Sequence, residues 1–170
     1  NEVTTSGETV RSGENFIDNG LVRVEFDLDT GVICRLERCS DGQPLVKKMH
    51  RFRAPGSGVQ KCVNVRWLAR GPLLVAVELT IVVPMPGGKM CRIRARISVE
   101  AGLTWVDLDQ RITKCPPIPG DPWEAHLGME IELPGKGFGL QRSHYNVLEN
   151  ARQARIFSHN LLVAEKDSMR

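Results

Sequence analysis

Long apolar runs, blocks of like charge and closely spaced cysteines are all missing from this chain, and each absence removes a class of function. A membrane-spanning helix needs about 18 consecutive apolar residues. The longest candidate, Leu73 to Pro84, is interrupted by Glu78 and Thr80. The first residues lack the charged-then-apolar order of a secretory signal. Acidic and basic side chains are mixed through 170 residues to a formal net charge of +3, without the basic stripe that a phosphate backbone calls for. Neither nucleic acid nor a membrane is expected as a partner.

Five cysteines, Cys34, Cys39, Cys62, Cys91 and Cys115, are odd in number and never fall at C-x-x-C spacing. That pattern argues against a disulfide framework and against a zinc site. Cys34 and Cys91 lie on apolar faces of strand patterns, so the cysteines are expected as small buried hydrophobes in a reducing compartment, with the cytoplasm favoured. His50, His126, His144 and His159 are scattered without H-x-H or H-E-x-x-H spacing, so no metal or other cofactor is expected in this chain. Gly56-Ser57-Gly58 lacks the Lys-Ser/Thr continuation of a phosphate loop, and no G-x-S-x-G nucleophile elbow occurs.

Helical periodicity over about twelve residues is missing too, whereas alternation of period two is abundant. From Phe16 to Leu45, "FIDNGLVRVEFDLDTGVICRLERCSDGQPL" reads as two strands and two turns. Val22, Val24 and Phe26 share one face, Arg23 and Glu25 the other, and Val32, Cys34 and Leu36 are expected to resume the alternation after Asp27-Leu28-Asp29-Thr30-Gly31. Asp and Thr side chains bond turn backbone, and glycine tolerates positive φ.

Residues Asn1 to Asn15 are rich in Ser, Thr, Gly and Glu and predict a flexible linker, with one β-sandwich domain over 16–170. The start at Asn1 suggests a processed or excised chain. Lys47 to Gly58 combines cations with turn formers and predicts a loop or an irregular edge segment. Gln60 to Leu68 and Pro72 to Val83 predict strands, the second with Leu73, Val75, Val77, Leu79, Ile81 and Val83 on one face. Beyond Pro84-Met85-Pro86-Gly87-Gly88, Cys91, Ile93, Ala95, Ile97 and Val99 alternate with Arg92, Arg94 and Arg96. The arginines are expected on an exposed face, neutralised by Asp107 and Asp109 of the next strand, Leu103 to Ile112. Lys114 to Asp121, with three prolines, predicts an excursion loop. Leu127 to Leu133, Phe138 to Gln141, Ala154 to Ser158 and Leu161 to Glu165 predict short strands, with a helical turn near Val147 to Arg152. The fold class is all-β, an antiparallel β-sandwich.

The Phe16 to Leu45 segment resembles the opening of the C-terminal β-domain of family 38 glycoside hydrolases, the α-mannosidases. "RWLARGPLLVAVELTIVVP" is similar to that domain's long strand after Arg-Gly-Pro, and "CRIRARISVEAGLTWVDLDQRI" to its next two strands. "LGMEIELPGKGFGLQRSHYN" resembles the region leading to an Arg-rich, His-containing stretch. The resemblance, over Phe16 to Asn146, implies part of a supersandwich like that of galactose mutarotase. It implies retaining hydrolysis of α-mannosides by an Asp nucleophile, an acid/base carboxylate and a zinc ion, all in a preceding catalytic domain. The expected partners are that domain and mannosides.

Two loop clusters offer an aromatic face beside hydrogen-bonding groups, the usual way to hold a sugar. They are Trp123, Glu124 and His126 next to the proline loop, and Arg142, His144 and Tyr145 after the glycine turn. No residue has an assigned catalytic role, since a count of carboxylates identifies no pair at the spacing that retaining hydrolysis needs. Two other readings share these residues. A mutarotase-like aldose epimerase would use His126 or His144 with Glu124 or Glu130, and a non-catalytic carbohydrate-binding module would centre on Trp123 or Trp105.

Overall fold

The structure is a computed structural model that describes residues 9–121, 125–134, 138–144, 147–150 and 162–166. Among the described residues, fourteen strands are connected by turns, with a single 3-10 turn at Pro86–Gly88. They are β1 (Arg11–Ser12), β2 (Phe16–Asp18), β3 (Val22–Phe26), β4 (Ile33–Arg38), β5 (Gln43–Val46), β6 (Lys48–Arg53), β7 (Lys61–Arg70), β8 (Leu74–Met85), β9 (Lys89–Glu100), β10 (Asp107–Lys114), β11 (Gly128–Glu132), β12 (Phe138–His144), β13 (Val147–Asn150) and β14 (Leu162–Lys166). The strand pairs are antiparallel throughout the described residues.

Two compact units divide the chain, Asn1–Glu132 and Leu133–Arg170. In the first, a seven-stranded sheet runs β1-β2-β3-β4-β6-β11 with β5 beside β4, and a four-stranded sheet runs β10-β9-β8-β7. In the second, β12 lies between β13 and β14. Strand β13 stands where the sequence predicts a helical turn; its φ/ψ are set by pairing with β12 at Gln141↔Asn150 through His144↔Val147. The predicted strand over Ala154 to Ser158 lies outside the described residues.

The two sheets of the first unit form a sandwich because each turns one apolar face inward. Ile17, Val22, Val24, Phe26 and Ile33 meet Val77, Leu79, Ile81, Ile93 and Ile97 in one buried cluster. Each such side chain contributes roughly 1.5–3 kcal/mol on burial, so this face is the main source of stability. Across the layers the rings of Phe26 and Trp67 stand 6.2 Å apart, tilted by 50°.

Polar staples close both ends of the sandwich. At one end the buried Asn19 uses its whole amide: Nδ2 donates to the Glu100 and Leu103 carbonyls at 2.7 Å each, while Oδ1 accepts from Leu21 and Val22 at 2.9 Å each. At the other, the Gln60 Nε2 donates to Thr30 and His50 carbonyls and its Oε1 accepts from the Phe52 amide at 2.6 Å. Both side chains satisfy every group they bury, which is what makes a buried amide affordable.

Three local patterns differ from the sequence reading. The register between β3 and β4 shifts between Glu25 and Phe26, so Ile33 faces the core and Cys34 is exposed; a β-bulge inverts the alternation that the residues suggest. Strand β6 falls inside the stretch that reads as a loop or an irregular edge segment, its buried His50 and Phe52 alternating with exposed Arg51 and Arg53. The leader is tied down before Asn15: Val10 is buried and donates to the Pro72 carbonyl at 2.7 Å, and Arg11–Ser12 pairs with β2.

Candidate functional site

The turn joining β3 to β4 begins the site. Asp27 Oδ1 accepts from the Thr30 amide at 2.7 Å and the Thr30 hydroxyl at 2.6 Å, and Gly31, at φ 71°, returns the chain to the sheet. A residue with a Cβ resists that φ, and here it would also meet Ile81 Cδ1 at 2.8 Å. The turn therefore lies flush on the other sheet, and the Cys62 amide donates to the Asp29 carbonyl at 2.6 Å.

Beside this turn, strands β4 and β6 and the loop after Arg53 enclose an open cleft of about 520 Å³. Asp27, Thr30, Cys34, Arg51, Arg53 and Ser57 supply its polar lining, with Val32, Phe52 and Ala54 as apolar floor and wall. Ser57 closes the loop by accepting the Ala54 amide at 3.0 Å. Arg51 and Arg53 alternate outward from β6 and both reach Glu130 of β11, at 3.6 and 3.2 Å. Glu130 thus stands as an ion-pairing carboxylate between two guanidinium groups.

Electrostatics decide what the cleft can do. The Thr30 hydroxyl bond holds the Asp27 carboxyl below the usual carboxylate range, aided by the Thr30 and Asp29 amides and opposed by partial burial. Asp27 is an acceptor for hydroxyl groups and not a proton donor at neutral pH. It is the single carboxylate among the described lining residues, so the cleft holds no carboxylate pair for glycoside cleavage. Although its side chain reaches the surface, partial desolvation raises the Cys34 thiol above its ordinary value, with the Glu25 and Asp27 charges adding to the effect, so this cysteine is not an activated nucleophile. The lining combines acceptors, cationic donors and an apolar floor, a chemistry suited to binding polyhydroxylated ligands.

Of the residues singled out from sequence, His126 is not among those that line this cleft. His126 lies in the segment before β11, half-buried, in the first unit. Arg142 and His144 belong to β12 in the second unit, where they oppose Glu149 and Val147 across β13. Trp123, Glu124 and Tyr145 lie outside the described residues. Trp105, the other aromatic anchor considered, is 55% exposed between β9 and β10. The cleft escapes sequence reading because turn, strand and loop contribute one or two side chains each; the alternation of His50 and Phe52 with Arg51 and Arg53 is the signal that could have found β6.

The arginine face also differs in detail. Arg96 opposes Asp109 in register, but Arg94 opposes Arg111, and Asp109 pairs with Arg111 on its own strand at 3.3 Å. Among the described residues Arg92, Arg94 and Arg96 make no ion pair, while Arg66 of β7 bonds Glu78 at 2.9 Å. Among the described residues, no group of three His, Cys, Asp or Glu side chains is placed to hold a metal ion, and no helix is long and apolar enough to cross a membrane.

No family model matches the chain, and comparisons with curated proteins and with solved structures likewise give no match.

Proposed function

We propose that this chain is the β-sandwich portion of an α-mannosidase-like glycoside hydrolase, a supersandwich of the galactose mutarotase type that supports and contacts the mannoside while a preceding domain cleaves it. The observation that carries this reading is the order of the similar segments. Phe16 to Leu45, "RWLARGPLLVAVELTIVVP" and "CRIRARISVEAGLTWVDLDQRI" follow one another in the resembling family's order. Here they occupy β2 to β5, β7 with β8, and β9 with β10 of one antiparallel sandwich. In this reading zinc and both catalytic carboxyl groups belong to the preceding domain. Asp27, Thr30, Arg51 and Arg53 are the groups in this chain that would meet sugar hydroxyls.

The test is to titrate the chain with mannose and oligomannosides while following tryptophan fluorescence, and to incubate it with an aryl α-mannoside and zinc. The reading predicts weak, saturable binding without turnover. Turnover at an enzymatic rate, lost on changing a carboxylate of this chain, would overturn it. A strong quench abolished by Trp105→Ala would favour the carbohydrate-binding-module reading instead.

A further inference from the structure

Cys91 of β9 and Cys115, the residue that follows β10, are neighbours where the β9–β10 ladder ends. The register sets Lys114 opposite Arg92, with an irregularity at Thr113, so the next step of the antiparallel ladder brings Cys115 opposite Cys91. The Cys91 side chain points into the interior, since its strand neighbours Met90 and Arg92 are exposed. Cys91 is fully buried between Val83 and Cys115, whereas Cys115 is exposed where the proline loop leaves the sheet. Cys115 is near enough to Cys91 to help raise its pKa.

Directly opposed residues of an antiparallel pair have Cα atoms about 4.5–5.5 Å apart, within the roughly 4.4–6.8 Å that a disulfide spans. The remaining cysteines sit elsewhere: Cys34 on β4, Cys39 in the turn after β4, and Cys62 at the start of β7.

We propose that Cys91 and Cys115 form a thiol pair that oxidises to a cross-strand disulfide in exchange with a small-molecule disulfide such as oxidised glutathione. The exposed Cys115 thiolate attacks one glutathione sulfur, breaking the S–S bond and releasing one glutathione thiolate. Cys91 then attacks the Cys115 sulfur of the mixed disulfide as its proton passes to base, and the second glutathione leaves. Two protein thiols are oxidised and one glutathione disulfide is reduced to two glutathione thiols. Burial, the bond to Cys115 and the neighbouring charge push the Cys91 thiol up to about 12, so Cys91 serves as the resolving partner and not the first attacker. The bond pins the first residue of the proline loop to the centre of the four-stranded sheet.

The experiment equilibrates the full chain with oxidised glutathione, traps free thiols by alkylation and digests with trypsin without reduction. The proposal predicts Met90–Arg92 joined to Cys115–Lys136, lighter by two hydrogens than the separate peptides and released by dithiothreitol. Cys115→Ser abolishes the linked peptide while Cys34, Cys39 and Cys62 remain alkylated. Cys115 recovered only as its glutathione adduct, or linked to any cysteine other than Cys91, would overturn the proposal.

Discussion

His50 Nδ1 lies 2.9 Å from the Gly31 carbonyl oxygen, and this contact fixes the histidine's tautomer: Nδ1 carries the hydrogen and donates it, leaving Nε2 bare. The ring is fully buried against Phe52, edge to face at 4.9 Å, and among the described residues Nε2 has no partner. Burial lowers the His50 pKa below its ordinary 6.5, and the Gly31 carbonyl opposes this only in part. The unfolded chain therefore takes up a proton below about pH 6.5 that the folded chain does not, and stability falls as pH drops through that value. The urea midpoint is expected to decline between pH 7.5 and pH 5. His50→Asn removes the titration while tolerating the left-handed backbone at φ 70°, and is expected to flatten that decline. An unchanged slope would count against a buried neutral His50. Asp27 acts in a different window: its stabilisation is present above pH 3.8 and is lost as pH falls through its lowered folded value.

Asn19 holds the β2–β3 turn to the β9–β10 turn through four hydrogen bonds. Asn19→Ala leaves two carbonyls and two amides of that junction without their partner, and is expected to lower unfolding free energy by about 3 kcal/mol. Asn19→Asp keeps the shape but loses both donors and brings a carboxylate against two carbonyl oxygens, so it should cost at least as much. Equilibrium denaturation of both variants checks the pair, and a loss below about 1 kcal/mol in either would contradict the staple.

Gly31→Ala tests the close approach of the first hairpin to the second sheet. The substitution places a Cβ 2.8 Å from Ile81 Cδ1 and 2.9 Å from its Cγ1, at a backbone φ of 71°. Left-handed backbone alone costs a non-glycine residue about 1–2 kcal/mol, and the collision adds to it. Ile81→Val, which removes Cδ1, should recover part of the added loss in the double variant, read as a favourable coupling in a double-mutant cycle. Strict additivity would indicate that turn and strand do not touch.

Much of the sandwich was legible because burial imposes period two. Val22, Val24 and Phe26, or Cys91, Ile93, Ala95, Ile97 and Val99, read as inward faces and are buried as such. Reading fails where tertiary structure overrides local pattern. The shift beside Phe26 trades Cys34 for Ile33, and no local residue announces it. Pro55, Gly56 and Gly58 disguise β6, whose His50 adopts positive φ while bonding Gly31, 19 residues away. Asn19 looks like an ordinary turn residue until Glu100 and Leu103, 81 and 84 positions further on, fold over it. The cleft is equally nonlocal: Asp27, Arg51 and Ser57 come from three elements, and only the closed sheet brings them together.

The most direct test of the proposed role is a single NMR titration of the isotope-labelled chain with an α-linked mannobiose and zinc, recording protein amides and sugar anomeric protons together. The account predicts progressive amide shifts centred on Thr30, Arg51, Arg53 and Ser57, with the anomeric signals of the disaccharide unchanged in intensity. Loss of the glycosidic anomeric signal as free mannose appears, or saturating shifts that leave those four residues untouched, would contradict it.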